Sequence, residues 1–287
     1  MTNGFMKFRF GCYYYNPAHQ LLIASVGLKK TESQAQSGTF IAPFVEWSYL
    51  AAVHIYLQPS VEWFGIRIDE PVTVATDLVL AAINLYAFLA LRKHRPSSTL
   101  NYLRWYFLLM TFATALGGLI GHGFLYALST KWKFPGWFLS MVSINLLERA
   151  MISWSRGFLK GNQHHFFSAF NIIELLVFTA LAFTTLNFRF VEAHTAYGVL
   201  VFVAGFAIFN YRKRGGHGRA AARYLLYAVA FAAVGGLFFI FRLGMDEWFT
   251  HADTSHVFLW LSTWSFYRAA KAMSEPKAEK AVVLSST

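Results

Sequence analysis

Cysteine is nearly absent from this chain of 287 residues: Cys12 stands alone. A single thiol closes no internal disulfide and builds no cysteine-based zinc site, so any metal must be held by histidine and carboxylate. Charge is scarce as well. Only 14% of the residues are Asp, Glu, Lys or Arg, against the roughly 25% usual in soluble domains. Acidic residues are the scarcer sign, 14 against 25 basic. The excess of +11 still does not mark a nucleic-acid protein. Its lysines and arginines sit in short clusters between apolar runs, among them Arg92-Lys93-His94-Arg95, Arg212-Lys213-Arg214 and Arg219, and no basic face is interleaved with polar base readers. A secretory leader pattern is missing, because Lys7 and Arg9 precede no clean apolar core with a small-residue cleavage site. Internal repeats are missing too.

What remains is greasy. Hydrophobic residues make up 56% of the chain and aromatic residues 18%, which places it among integral membrane proteins. From Pro71 onward seven mostly apolar runs follow one another, roughly 71–91, 105–128, 136–156, 166–187, 194–211, 221–242 and 254–271. Each is long enough to cross a hydrocarbon core of about 30 Å, and lipid forces each to be helical because no backbone group can go unpaired there. The expected fold is therefore an all-α, seven-helix transmembrane bundle over residues 70–272. Residues 1–69 read as an N-terminal extension, with an interfacial helix over 41–57, and 273–287 as a disordered cytoplasmic tail. The basic clusters follow the first, third and fifth runs and the last one. The positive-inside bias then puts residue 70 outside and the C-terminus in the cytoplasm.

That orientation gives each intramembrane polar residue a depth. Asp77 falls within the first turns of the first run and His122 in the outer third of the second. His194 opens the fifth run, Arg242 closes the sixth, and His251, Asp253 and His256 open the seventh. Imidazoles and carboxylates are thus expected in one outer layer, where ionisable groups need partners or a task. Two or three imidazoles with carboxylates suit Zn²⁺, which takes nitrogen and oxygen donors and keeps a position for water when catalytic. In this reading His122, His251 and His256 bind the metal. Asp77 and Asp253 orient ligands or relay a proton from zinc-bound water, and Arg242 meets an anionic head group or a developing oxyanion. For His251 and His256 to share one ion, His251 must lie in the turn before the helix, with Asp253 or Thr254 as its cap. Glu148 with Arg149, and Asn171 with Glu174, read as structural polar pairs. The alternative function is non-enzymatic: a sensor or transporter in which the same cluster binds a proton, an ion or a ligand.

Asp77, His122 within Gly-His-Gly-Phe, and His-Ala-Asp-Thr-Ser-His followed by Leu-Ser-Thr-Trp-Ser-Phe-Tyr-Arg give the chain a resemblance. It resembles the CREST superfamily of seven-helix membrane proteins, which includes alkaline ceramidases and adiponectin-receptor-like proteins. It also looks like a group of uncharacterised bacterial seven-helix proteins. The resemblance implies a zinc-dependent hydrolase of lipid amide or ester bonds in a bacterial inner membrane, with membrane lipid as partner and substrate. The pattern departs from that superfamily in three places. Gly118 stands where a serine precedes the helix-2 histidine by four residues. Ser140, Ser143 and Asn145 stand in the half of the third run that carries an aspartate, and the helix-7 histidines are spaced His251-x-x-x-x-His256.

Overall fold

A computed structural model describes residues 58–274. The interfacial helix expected over 41–57 and nearly all of the expected tail lie outside the described residues. The described chain opens with a two-stranded antiparallel hairpin, β1 (Val61–Trp63) and β2 (Ile66–Ile68), in which Val61 faces Ile68 and Trp63 faces Ile66. Its turn places Phe64 and Gly65 in left-handed conformations, φ 52° and 78°. Two left-handed central residues match the twist of paired strands.

Seven helices follow among the described residues: α1 (Pro71–Leu91), α2 (Ser98–Gly123), α3 (Phe134–Ser155), α4 (Gly161–Thr185), α5 (Arg189–Lys213), α6 (Gly216–Ile240) and α7 (His251–Ser274). The protein is an all-α membrane bundle, as its apolar runs predict. Local signals account for the helix starts. Pro71 occupies the first turn of α1, where a missing N–H costs nothing. Ser97 caps α2 by accepting a hydrogen bond from Leu100 N at 3.2 Å. Helix α7 runs through Ser274, two residues into the stretch expected as tail.

Five of the seven helices, α1, α2, α4, α5 and α6, are long and apolar enough to cross a membrane. Helices α3 and α7 are as long but carry polar faces, and those faces turn inward. Ser143, Asn145 and Glu148 of α3 are buried, as are Asp253, Thr254, Ser255, Ser262 and Thr263 of α7. Helix α1 packs on α2, α2 on α3, α3 on α4 and α5, α5 on α6, and α6 on α7. Helix α7 then closes the ring against α1. The apolar centre is built from Phe107, Leu147, Met151, Val203, Leu225 and Phe266, each fully or almost fully buried. Many large apolar side chains of α4 and α6, among them Ile173, Leu176, Phe183, Tyr227 and Leu237, point outward. That surface suits lipid.

Two helices change pitch within their length. The last seven residues of α2, Gly117–Gly123, and seven residues inside α5, Tyr197–Val203, are wound as π-helix. Such segments frequently accompany functional positions. Each one here adjoins a polar cluster.

Candidate functional site

The start of α7 is tied to the start of α1 through Asp253. Its carboxylate is fully buried and accepts from Thr250 N (2.7 Å), Thr250 Oγ1 (2.8 Å), Gln58 Nε2 (3.1 Å) and Thr76 Oγ1 (3.3 Å). Gln58 meanwhile offers its Oε1 to Val72 N and Thr73 N, at 2.9 and 3.2 Å. It thereby satisfies two of the free N–H groups at the α1 terminus, which the Glu70 side chain leaves uncapped. Helix α7 begins at His251, so the expectation that His251 lies in a preceding turn with Asp253 or Thr254 as cap is corrected. Asp253 instead reaches back from the third helical position to the N–H of Thr250. With both histidines helical, a spacing of five turns them about 140° apart around the axis. The ring of His251 accordingly lies against Phe239, 5.5 Å between centroids, with Arg242 among its charged neighbours. Arg242 itself is exposed in the turn after α6, with φ 55°.

Asp77, His256 and His122 form the second layer of this site. His256 Nδ1 is 2.8 Å from Thr76 Oγ1, and its Nε2 lies 3.5 Å from Asp77 Oδ1. The indole of Trp260 donates to Thr76 O at 3.1 Å and reinforces the same contact of α7 with α1. The Asp77 and His256 side chains are 8% and 13% exposed, respectively, so the pair is sheltered without being sealed. His122, more open at 30%, comes from the π segment of α2 and lies within electrostatic range of both. Gly118 makes that approach possible. A Cβ there would stand 2.8 Å from Asp77 Cβ and 3.2 Å from Val74 O, so the position has no room for a serine while Asp77 stays where it is.

His122 Nδ1 is 2.6 Å from Glu70 Oε2. The hydrogen bond from the imidazole holds the Glu70 carboxyl below its ordinary range, and its burial opposes this only in part. A lowered carboxyl adds stability that is present above its unfolded value and is lost as pH falls through the folded one. Glu70→Gln is therefore expected to flatten the acid limb of the stability curve while changing the neutral melting temperature less. Thermal unfolding in detergent at about pH 7 and about pH 3 checks this. Identical acid sensitivity in variant and parent would remove the pair from the account.

His194 joins a different group. It is fully buried in α5, packs edge-on against Phe178, and brings Nε2 to 3.7 Å from Glu174 Oε1 of α4. The polar residues thus fall in two clusters, one on α1, α2 and α7 and the other on α3, α4 and α5, and His194 belongs to the second. The reason is lateral: each helix turns its polar face to a different neighbour around the ring. Glu148 of α3 receives Asn171 Nδ2 at 2.8 Å, and Asn145 and Asn171 exchange side-chain hydrogen bonds with each other's carbonyls at 2.6 and 3.2 Å.

Four functional neighbours escape a reading of the sequence: Gln58, Glu70, Thr76 and Trp260. Only Glu70, acidic and immediately before Pro71, carries a local signal. Among the described residues, no three His, Cys, Asp or Glu side chains are grouped so that they could hold a metal ion.

An all-helical membrane bundle with a partly sheltered acid–imidazole cluster at one end of α1, α2 and α7 is the class that fold and site define. The chain belongs to a family of unknown function, DUF6962, whose sequence profile matches residues 72–275. No curated protein and no solved structure matches it.

Proposed function

We propose that the protein is a membrane transporter in which Asp77 and His256 take up and release a proton. The observation that carries this reading is the facing of His256 Nε2 and Asp77 Oδ1 at 3.5 Å, with the other ring nitrogen held by Thr76. A carboxyl and an imidazole that face each other this closely can pass one proton between them, and ionisable groups inside membranes commonly serve such paths. His122 and Glu70 form a more open outer pair that can feed the inner one from solvent. The orientation that goes with this reading puts the Pro71 end of α1 outside and the C-terminus inside a bacterial inner membrane, supported by the basic clusters at 92–95 and 212–214.

The test is proton movement into liposomes that carry the purified protein and a trapped pH dye. Wild type is expected to carry protons faster than empty vesicles without added metal, and Asp77→Asn and His256→Gln are expected to return the rate to that of empty vesicles. A wild-type rate equal to that of empty vesicles, or an unchanged rate in Asp77→Asn, sinks the proposal.

A second reading, a zinc-dependent hydrolase of lipid amides or esters, is favoured by one observation. His122 and His256 are both held through Nδ1, by Glu70 and Thr76, so neither partner occupies Nε2 of its ring, and Nε2 of His256 faces Asp77. That is how metal-binding histidines are commonly oriented. The donors fit zinc in kind, with His122, His256 and Asp77 as the holders, but they are not grouped as an ion requires. In this reading Asp253, which accepts four hydrogen bonds, positions Thr76, and His251 stands aside with Arg242 toward a head group. Stoichiometric transition metal by mass spectrometry, lost in His122→Ala, together with release of fatty acid from a lipid amide, decides for this reading over the first.

A further inference from the structure

Glu148, Glu174 and His194 lie apart from the Asp77 centre, on three other helices, and within the described residues much of their polar surface goes unanswered. Glu148 Oε1, both carboxyl oxygens of Glu174 and both ring nitrogens of His194 are buried with no hydrogen-bond partner. Glu148 and His194 are completely buried, and Glu174 is 6% exposed. By a rise of about 1.5 Å per residue, Glu148 lies roughly 21 Å along α3 and Glu174 roughly 20 Å along α4, well inside each helix. Two carboxylates that close in an apolar bundle cannot both stay ionised without a cation. The amide of Asn171 satisfies one oxygen of Glu148 and brings no charge.

The two carboxyls lie close enough to act on one another. As two anions they offer only acceptors, and the contact is empty of protons. With one proton, an O–H of one carboxyl donates to an oxygen of the other. His194 Nε2, 3.7 Å from Glu174 Oε1, is the adjoining acceptor. The π segment of α5 serves this geometry. Gly198 lies within it and passes so close to Glu148 that a Cβ would stand 2.5 Å from Oε1. The other charged or titratable groups that act on the pair are Arg149 beside Glu148 and Tyr197 on α5.

We propose that Glu148, Glu174 and His194 form a second, intramembrane site whose ligand is a single proton, shared between the two carboxyls and transferable to the imidazole. In the transfer the carboxyl O–H bond breaks, an N–H bond forms at Nε2 of His194, and both glutamates are left as carboxylates beside the imidazolium that balances one of them. The proposal does not rest on the reading of the Asp77 centre.

Infrared difference spectroscopy of the full chain in lipid bilayers, in H₂O and D₂O at neutral pH, tests it. The expected result is a protonated-carboxyl C=O band that shifts in D₂O, disappears in Glu148→Gln and in Glu174→Gln, and persists in Asp77→Asn. Persistence in Asp77→Asn separates this site from the outer one. Glu174→Asp, which keeps the acid, is expected to move the band without abolishing it, and it serves if the glutamine variants do not fold. A wild-type spectrum with no protonated carboxyl, or one whose carboxylate bands move on adding Ca²⁺ or Zn²⁺, overturns the proposal, the second in favour of a cation site. A band lost in Asp77→Asn and kept in both glutamine variants overturns it as well.

Discussion

Asp253→Ala is expected to destabilise the bundle by about 3 kcal/mol, since buried donors stripped of their acceptor cost about 1–3 kcal/mol each. The donors concerned are Thr250 N–H, the Thr250 hydroxyl and one N–H of the Gln58 amide, which keeps Trp248 O as its other acceptor at 2.7 Å. The Thr76 hydroxyl keeps Thr73 O as an acceptor at 3.0 Å and loses less. Helix α7 then enters the bundle without its anchor, and Gln58 loses one of the contacts that aim its Oε1 at Val72 and Thr73. For a chain of this size the expected fall in melting temperature is roughly 6–12 °C. Asp253→Asn keeps one acceptor oxygen but adds an N–H₂ toward groups that are themselves donors, so it is expected to fall between the two. Circular dichroism melts in one detergent, with parent and both variants side by side, measure this. Coincident melts for Asp253→Ala and the parent would show that the residue is not structural, and would return it to the list of groups free to orient a ligand.

Gly198→Ala is expected to be the most damaging glycine-to-alanine change among the described residues. The added carbon would stand 2.5 Å from Glu148 Oε1 and 2.5 Å from Ile144 Cγ2. Neither neighbour is the far end of a loose side chain: Glu148 is fully buried and held by Asn171, and Ile144 belongs to the packed centre. Relief requires α5 to move from α3, and overpacking of this kind costs about 1–3 kcal/mol. The added carbon also presses on the Glu148 carboxyl itself. The change should therefore appear twice, as a lower melting temperature and as a displaced carboxyl band in the infrared spectrum. Gly205→Ala is the control, since open space surrounds a Cβ there. Equal melting of the two variants would mean that α5 does not approach α3 as closely as described.

The two clusters differ in how far the residues alone announce them. Asp77, His122 and His256 can be placed near one another from chain order, because successive spans alternate direction and a residue's offset from a span end sets its depth. Their actual partners cannot. Thr76 and Trp260 are ordinary residues of apolar helices until the rotation of α7 against α1 sets them at His256. Gln58 lies in a stretch with no periodic signal, and it caps α1 only because the chain folds back over Pro71. The hairpin before α1 is hidden for a related reason. Its turn is Phe64-Gly65, which lacks the Asn-Gly or Asp-Gly signature, although Phe64 adopts the left-handed conformation all the same.

Hydrophobic length and the demand that every backbone group be paired in lipid are local properties, so the residues by themselves determined the seven helices, their order and the membrane class. Position around the ring is not local. Which face of each helix meets which neighbour depends on packing among all seven, and a single glycine such as Gly118 or Gly198 decides how closely two of them approach. For that reason only the tertiary structure separated His194 from the outer group, gave Asp253 to the anchoring of α7, and joined Glu148 to Glu174.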